Sequence, residues 1–180
     1  MYLAPSDDGA RVIARYKLND EPVPRAGTGG DGKEGPYMYN WDLHETLYLA
    51  HEDEGEGHHL MIKHTGMLAG APVLSAGVLY VRDGGAVDGV TFSSGHYRPD
   101  VTATALLWTW TGRRGLNRTA LRWIGRADWG RGDWSEATCR EADWGGIDLP
   151  GYEGGALKRA CREVTRGPTW VVQEDVRRGR

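Results

Sequence analysis

Short apolar runs separated by glycine-rich turns dominate the first half of the chain. The runs lie at residues 37–50, 58–68, 73–82 and 87–93, and each is short and bounded by turn residues, as strands are. Asp53 to Gly57 and Asp83-Gly84-Gly85 supply the turns. The pattern predicts an antiparallel β-meander with at least four strands between residues 43 and 93.

A helix is predicted directly after these strands. Pro99 suits the start of a helix, where a missing N–H is tolerated, and Asp100 places a carboxylate at the positive helix end. Leu106, Leu107 and Trp110 give this helix an apolar side. Outside this region, the pattern predicts strands within residues 11–18, 121–125 and 169–176 and a helix at 155–164. The predicted fold class is α+β: an antiparallel β-meander followed by a helix, with a Trp-rich C-terminal α/β portion packed on it.

The chain length of 180 residues fits one domain with a sizeable core. Residues 21–35 are rich in Pro and Gly and are predicted to form a flexible loop, whereas residues 126–180 form the Trp-rich C-terminal portion. The chain has eight Trp and one Phe. Trp side chains are rarely left fully exposed without a partner, so several of Trp123, Trp129, Trp134 and Trp144 are expected to pack on the sheet.

Charge narrows the range of partners. The net charge of −3 argues against a general nucleic-acid binder, which needs clustered Lys and Arg. Residues 1–100 carry 15 acids and 8 bases, whereas residues 101–180 carry 10 acids and 14 bases. A mildly basic C-terminal face is therefore expected, and it could meet an anionic ligand.

Cysteine content and hydropathy bear on the compartment. Cys139 and Cys161 lack CxxC spacing, so neither a zinc site nor a disulfide framework is predicted, and both are expected to be free thiols. No apolar run approaches the ~18 residues of a membrane span, and the N-terminus lacks the order of a signal peptide. The sequence predicts a soluble, cytoplasmic protein, with export as an effector left open. Its Arg-, Ala- and Gly-rich composition is typical of a bacterial coding sequence.

Two polar clusters at the ends of apolar runs are the candidate site. They are His64-Thr65 and Ser94-Gly95-His96-Tyr97. Both are predicted at strand ends, and adjacent strands lie only ~4.8 Å apart, so His64 and the His96-Tyr97 pair are expected to converge in one pocket. The alternatives are a structural histidine bonded to backbone and an ordinary turn.

A metal site is not predicted, although histidines are close together in the sequence. His58 and His59 would point to opposite faces of a strand, so they would not chelate one ion together. No carboxylate lies at a recognised ligand spacing from these histidines.

The order of these motifs resembles the core domain of plant IQ-motif-containing (IQM) proteins, and bacterial and fungal proteins, some toxin-like, carry similar segments. The resemblance covers about residues 39–125 and rests on His64-Thr65-Gly66-Met67-Leu68-Ala69-Gly70, Ser75-Ala76-Gly77, Asp83-Gly84 and Ser94-Gly95-His96-Tyr97-Arg98-Pro99. The family usually has His-Ser-Ser where this chain has His64-Thr65-Gly66. The plant proteins bind calmodulin through a separate IQ segment, whose spacing fails here after Val172-Gln173 and Arg177, so no calmodulin binding is expected.

An enzyme is the first functional hypothesis, with ADP-ribosyl transfer from NAD as its most concrete form. One class of ADP-ribosyltransferases uses a His followed by a small residue to hold the ribose, a Tyr to stack on nicotinamide and a late Glu that stabilises an oxocarbenium-like transition state. His64-Thr65, Tyr97 and Glu174 resemble this pattern in type and order. Such transferases usually place a helix between the His strand and the Tyr segment, and the predicted strands do not supply one.

The candidate residues divide into two sets. The catalytic candidates are His64, His96, Tyr97 and Glu174, and the candidates for contact with a nucleotide are Thr65, Gly70, Ser94 and Arg98. NAD is the expected substrate in this form of the hypothesis, and no resident cofactor is predicted. In a more general transfer or hydrolysis, His64 or His96 would accept a proton, and Tyr97 or Arg98 would stabilise negative charge.

A non-catalytic binding module is the second hypothesis. The same cluster would recognise a protein or a small anionic ligand, and the Trp-rich third would supply the contact surface, since interface hot spots are enriched in Trp, Tyr and Arg. The position of Glu174 relative to His64 and Tyr97 discriminates between the two hypotheses.

Overall fold

The computed structural model describes residues 1–23, 37–51, 63–125, 136–167 and 170–172. The strands in these ranges are β1 (Tyr2–Pro5), β2 (Val12–Arg15), β3 (Tyr37–Asp42), β4 (Leu47–His51), β5 (Val73–Val81), β6 (Val87–Thr91), β7 (Arg122–Gly125) and β8 (Trp170–Val172). The helices are α1 (His64–Met67), α2 (Val101–Arg113), α3 (Glu136–Glu141) and α4 (Gly154–Arg166). The α+β class is confirmed.

The main sheet has six strands in the order β4-β3-β5-β6-β7-β8. Pairing is antiparallel from β4 through β6 and parallel from β6 through β8, while β1 and β2 form a separate antiparallel pair. Helix α2 connects β6 to β7, and α3 and α4 lie between β7 and β8 in the chain. The parallel half of the sheet thus depends on helical crossovers, as parallel pairing requires.

The predicted strand at 58–68 is wrong over its described part. Residues 63–70 form the one-turn helix α1 and a turn in which Ala69 and Gly70 both have positive φ, 50° and 79°. Two successive left-handed residues reverse the chain and end any extended segment there. As a result β5 pairs with β3, which lies between β4 and β5 in the sheet. Three of the described antiparallel strands, β4, β5 and β6, fall within residues 43–93, and β3 lies just before this range.

The predicted helix after Pro99 is confirmed as α2. Asp100 caps it, with its carboxylate accepting a hydrogen bond from the Thr102 N–H at 2.8 Å. The helix packs on the sheet through aromatic contacts: the rings of Trp41 and Trp110 lie 5.3 Å apart, and those of Trp108 and Trp123 5.0 Å apart. These four indoles are buried. They form the centre of the core.

Core positions were predicted for four of the C-terminal tryptophans. Trp123 and Trp144 are buried, as predicted, whereas Trp129 and Trp134 lie outside the described residues. Trp144 is held by its indole N–H, which donates to the Cys139 carbonyl at 3.0 Å. The tryptophans described so far therefore stabilise the core instead of forming a contact surface.

The prediction of free thiols is wrong. Cys139 on α3 and Cys161 on α4 form a disulfide, with their Cα atoms 5.8 Å apart, inside the usual range for this bond. Both residues are fully buried where α3 packs on α4. The two cysteines are 22 positions apart, and the segment between them carries no motif that predicts the pairing, because the pairing is created by helix packing.

The remaining predicted elements agree with the structure where it describes them. The strand within 11–18 is β2, the strand at 121–125 is β7, the helix at 155–164 is α4, and β8 lies within the strand predicted at 169–176. The predicted loop at 21–35 falls mostly outside the described residues. Among the helices in the described ranges, none is long and apolar enough to cross a membrane.

Candidate functional site

His64 is the most enclosed of the candidate side chains. It begins α1 and is only 8% exposed. Its backbone carbonyl accepts a hydrogen bond from the Asn40 amide on β3 at 2.6 Å, and its ring atom Nε2 lies 2.9 Å from the Gly77 carbonyl oxygen on β5. His64 is thus fixed to two neighbouring strands of the sheet.

The hydrogen bond to Gly77 assigns the tautomer of His64. A backbone carbonyl can only accept, so Nε2 carries the proton in this bond and Nδ1 carries a lone pair in the neutral ring. No hydrogen bond joins Nδ1 to the residues that the structure describes. The arrangement leaves Nδ1 as a base or hydrogen-bond acceptor.

Burial lowers the pKa of His64 below its ordinary value. The hydrogen bond to Gly77 acts in the opposite direction, and repulsion from His96 lowers the pKa further. The imidazole is therefore neutral at neutral pH, in the state that can accept a proton.

This lowered pKa predicts acid sensitivity. The unfolded chain protonates His64 near the ordinary value of about 6.5, whereas the native state does so only at lower pH, so the unfolded state binds more protons between the two values. The contribution of His64 to the free energy of unfolding is complete above pH ~6.5 and is lost as pH falls through the native pKa. Urea titrations at several pH values should show a smaller acid-induced loss in His64→Gln than in wild type. Equal losses in the two proteins would contradict the lowered pKa.

The second polar cluster forms a tight turn ahead of α2. The buried Ser94 accepts two backbone hydrogen bonds, from the Tyr97 N–H to its Oγ at 3.3 Å and from the Arg98 N–H to its carbonyl at 3.0 Å. The Tyr97 hydroxyl donates to the Ala71 carbonyl at 2.8 Å, in the segment between α1 and β5. Tyr97 therefore ties the second cluster to the segment that follows His64.

The structure brings only some of the candidate side chains of the two clusters close together. His96 is exposed and close enough to His64 for electrostatic repulsion, whereas the Tyr97 hydroxyl is occupied by its bond to backbone. Arg98 is exposed, with a positive φ of 46°. Glu174 lies outside the described residues, so its position relative to His64 is undetermined.

An open cleft lies beside His64, between β4 and α1, and it is lined by the chain neighbours Lys63 and Thr65 but not by His64 itself. Its volume is about 590 Å³, and it is lined by Tyr48, Leu49, Ala50, Lys63, Thr65, Gly66 and Met67. Among the predicted nucleotide contacts, Thr65 lines this cleft, while Gly70 lies in the exposed turn after α1 and Ser94 is buried in the second cluster. The cleft offers one amine, two hydroxyl groups and apolar surface, a combination that suits a ligand with both an anionic and an apolar part.

Tyr48 and Lys63 are wall residues that sequence reasoning missed. Tyr48 follows the buried Leu47 on an alternating strand, so its outward direction was readable from the period of two. Lys63 directly precedes His64, but its place in the wall depends on the unpredicted helix α1. Within the described ranges no group of three or more His, Cys, Asp or Glu side chains is placed to hold a metal ion.

Comparison with known proteins finds a family match over part of the chain. Residues 27–103 match the family described as the IQ motif-containing protein middle domain, while no curated protein and no solved structure matches the chain. The matched segment begins and ends earlier than residues 39–125, the segment that the motifs indicate. It includes both polar clusters. The resemblance to the IQM core is thus confirmed: the antiparallel strands β3 to β6 and the His64 site lie in a segment that matches the IQ motif-containing protein middle domain.

Proposed function

We propose that this protein is an enzyme or effector that acts on a small nucleotide-like molecule in the cleft beside His64. The observation that carries the proposal is the bond from His64 Nε2 to Gly77, because it holds a neutral imidazole with its Nδ1 lone pair available. A neutral histidine in a partly dry site is suited to accept a proton or to hold a sugar hydroxyl.

The wall of the cleft favours a phosphate-bearing ligand. Lys63 is exposed at the cleft and makes no ion pair with a described residue, so its ammonium is available to an anion. Leu49 and Met67 supply apolar surface, and Tyr48 supplies an aromatic face for a base or nicotinamide ring. These groups fit a nucleotide better than a simple sugar or a simple hydrocarbon.

ADP-ribosyl transfer from NAD is the specific reaction that we place first. Helix α1 supports it, since this class usually has a helix between its His and Tyr segments. Two features depart from the class: His64 begins the helix instead of lying on a strand, and the Tyr97 hydroxyl is bonded to Ala71. Tyr97 would then contribute its ring face while its hydroxyl anchors the turn.

The decisive variant is His64→Gln. The glutamine amide can place an N–H where Nε2–H lies, and so keep the bond to Gly77, but it has no acceptor at the position of Nδ1. Purified protein is incubated with NAD and other nucleotides, and products are measured by mass. We expect wild type to release nicotinamide or transfer ADP-ribose, and His64→Gln to be slower by about 10²-fold or more, the usual contribution of a positioned acid or base.

His44→Gln is the matched control, since His44 is exposed in the turn between β3 and β4 and should leave the rate unchanged. Full activity in a folded His64→Gln protein would remove His64 from the chemistry. If wild type leaves NAD unchanged but turns over another nucleotide, ADP-ribosyl transfer is excluded and the cleft remains the proposed nucleotide site.

A ligand-binding module without catalysis is the second candidate. It is favoured by the use of both His64 and Tyr97 in bonds to backbone, which a purely recognition-based site would tolerate. The contact surface would then be the cleft, because the described tryptophan side chains are buried. Saturable nucleotide binding with no product would support this candidate.

Export as an effector also gains support. Disulfides form and persist mainly in oxidising compartments, and the Cys139–Cys161 bond joins two buried cysteines. A toxin-like bacterial protein that acts outside its producing cell would meet such conditions. The proposed function therefore includes export of the protein from the cell that makes it.

A further inference from the structure

The outward face of α4 carries a concentration of cations. Leu157, Ala160, Cys161 and Val164 point inward, and the opposite side presents Lys158, Arg159, Arg162 and Arg166. Lys158, Arg162 and Arg166 recur every four residues, so they form one row on the helix surface. Arg140 on α3 adds a fifth cation, and the Lys158 amine donates to its carbonyl at 3.5 Å. We name these five residues the α4 basic face.

Most of this charge is not neutralised within the fold. Arg140, Lys158, Arg159 and Arg162 make no ion pair with any residue in the described ranges, whereas Arg82 and Arg122 share the carboxylate of Asp88. Glu163, at the edge of the face, accepts from the Trp108 indole N–H at 3.1 Å and so points towards α2. The molecule as a whole is acidic, at −3, so this local excess of positive charge is a property of one surface.

The face is also rigidly mounted. The Cys139–Cys161 disulfide joins α4 to α3, and the bond from Trp108 to Glu163 joins α4 to α2. A helix whose backbone is already ordered loses little backbone entropy on binding. We infer that the α4 basic face is a docking surface for the acidic surface of another protein. This inference is independent of the function proposed for the His64 cleft.

Carboxylates fit the face better than other anions do. Single-stranded nucleic acid would need aromatic side chains beside the cations for base stacking, but the tryptophans described near α3 and α4, Trp108 and Trp144, are buried. An anionic membrane would need apolar side chains to insert next to the cations, yet those of α4 point into the core. Four of the five cations are arginines, whose planar guanidinium groups pair with carboxylates in a fixed geometry.

The test uses a labelled polyglutamate peptide as the probe. We expect wild type to bind it with an affinity that falls with salt, and Lys158→Glu/Arg159→Glu to bind at least about tenfold more weakly. The control is Arg11→Glu/Lys17→Glu, which makes the same change in net charge at two exposed residues near β2 and should bind nearly as wild type does. An equal loss in the two variants would mean that only net charge matters and would overturn the inference.

Contact is located by carbodiimide cross-linking, which joins an amine to a carboxylate at bonding distance. Among the described lysines, Lys17, Lys63 and Lys158, only Lys158 lies on the face. Cross-links concentrated at Lys158 of the wild-type protein would support the surface even if the double variant failed to fold, and cross-links mainly at Lys17 or Lys63 would overturn it. Tighter binding of a single-stranded oligonucleotide or of phosphatidylserine vesicles, abolished by Lys158→Glu/Arg159→Glu, would assign the face to that partner instead.

Discussion

Gly77→Ala is expected to lower the free energy of unfolding by about 3 kcal/mol or more, at the upper end of the effects of overpacking. A Cβ at Gly77 would lie 2.0 Å from the Thr91 carbonyl oxygen and 2.8 Å from its carbonyl carbon. These are backbone atoms of β6, so no side-chain rotation relieves the overlap and the strand itself must move. The Tyr39 ring, 3.0 Å away, closes another side of the space. Urea unfolding of the purified variant measures the loss.

Gly155→Ala is the control for this substitution. Gly155 lies in α4, and a Cβ there has no neighbour within 4 Å. Since alanine is the better helix former, this variant should gain about 0.5–1 kcal/mol. Gly77→Ala with wild-type stability would mean that β5 and β6 are not as close as described, and the position of the Gly77 carbonyl beside His64 would need revision.

Removing the disulfide is expected to have the second-largest effect. For a closed loop of about 22 residues, the chain-entropy estimate gives a loss of about 3 kcal/mol for Cys139→Ser/Cys161→Ser. Urea unfolding of wild type with and without dithiothreitol should differ by a similar amount, and the double variant should not respond to dithiothreitol. Wild type that takes up two alkylating groups without prior reduction, and that unfolds identically with and without dithiothreitol, would show that the bond does not form.

Local patterns predicted the elements whose determinants lie next to one another in the chain. Helix α2 could be predicted because Asp100 caps it from the adjacent position, and β5 and β6 because Asp83-Gly84-Gly85 turns directly between them. The parallel half of the sheet could not be predicted from local patterns. The pairing of β7 with β8 depends on the packing of α3 and α4, the helices that lie between these strands in the chain. The disulfide was missed for the same reason.

The candidate site was only partly readable from sequence. The types and order of His64, Ser94 and Tyr97 marked the two clusters, and Tyr97 does reach the segment after His64. The direction of each side chain was not readable, because His64 lies at the start of a helix instead of the end of a strand. His64 is buried with a backbone partner, as in the alternative of a structural histidine that the sequence left open.

The strand order β4-β3-β5-β6-β7-β8 bears on how the sheet is assembled during synthesis. After the β3–β4 hairpin, β5 joins the free edge of β3 and each later strand joins the free edge left by the strand before it. No strand has to enter between two that are already paired. Every pairing from β5 onward therefore uses a strand that has already left the ribosome. The non-local parallel pairings, whose loop-closure entropy cost is the largest, are made last. The described residues of the His64 site all precede Pro99, so they are made before the disulfide-bonded helices.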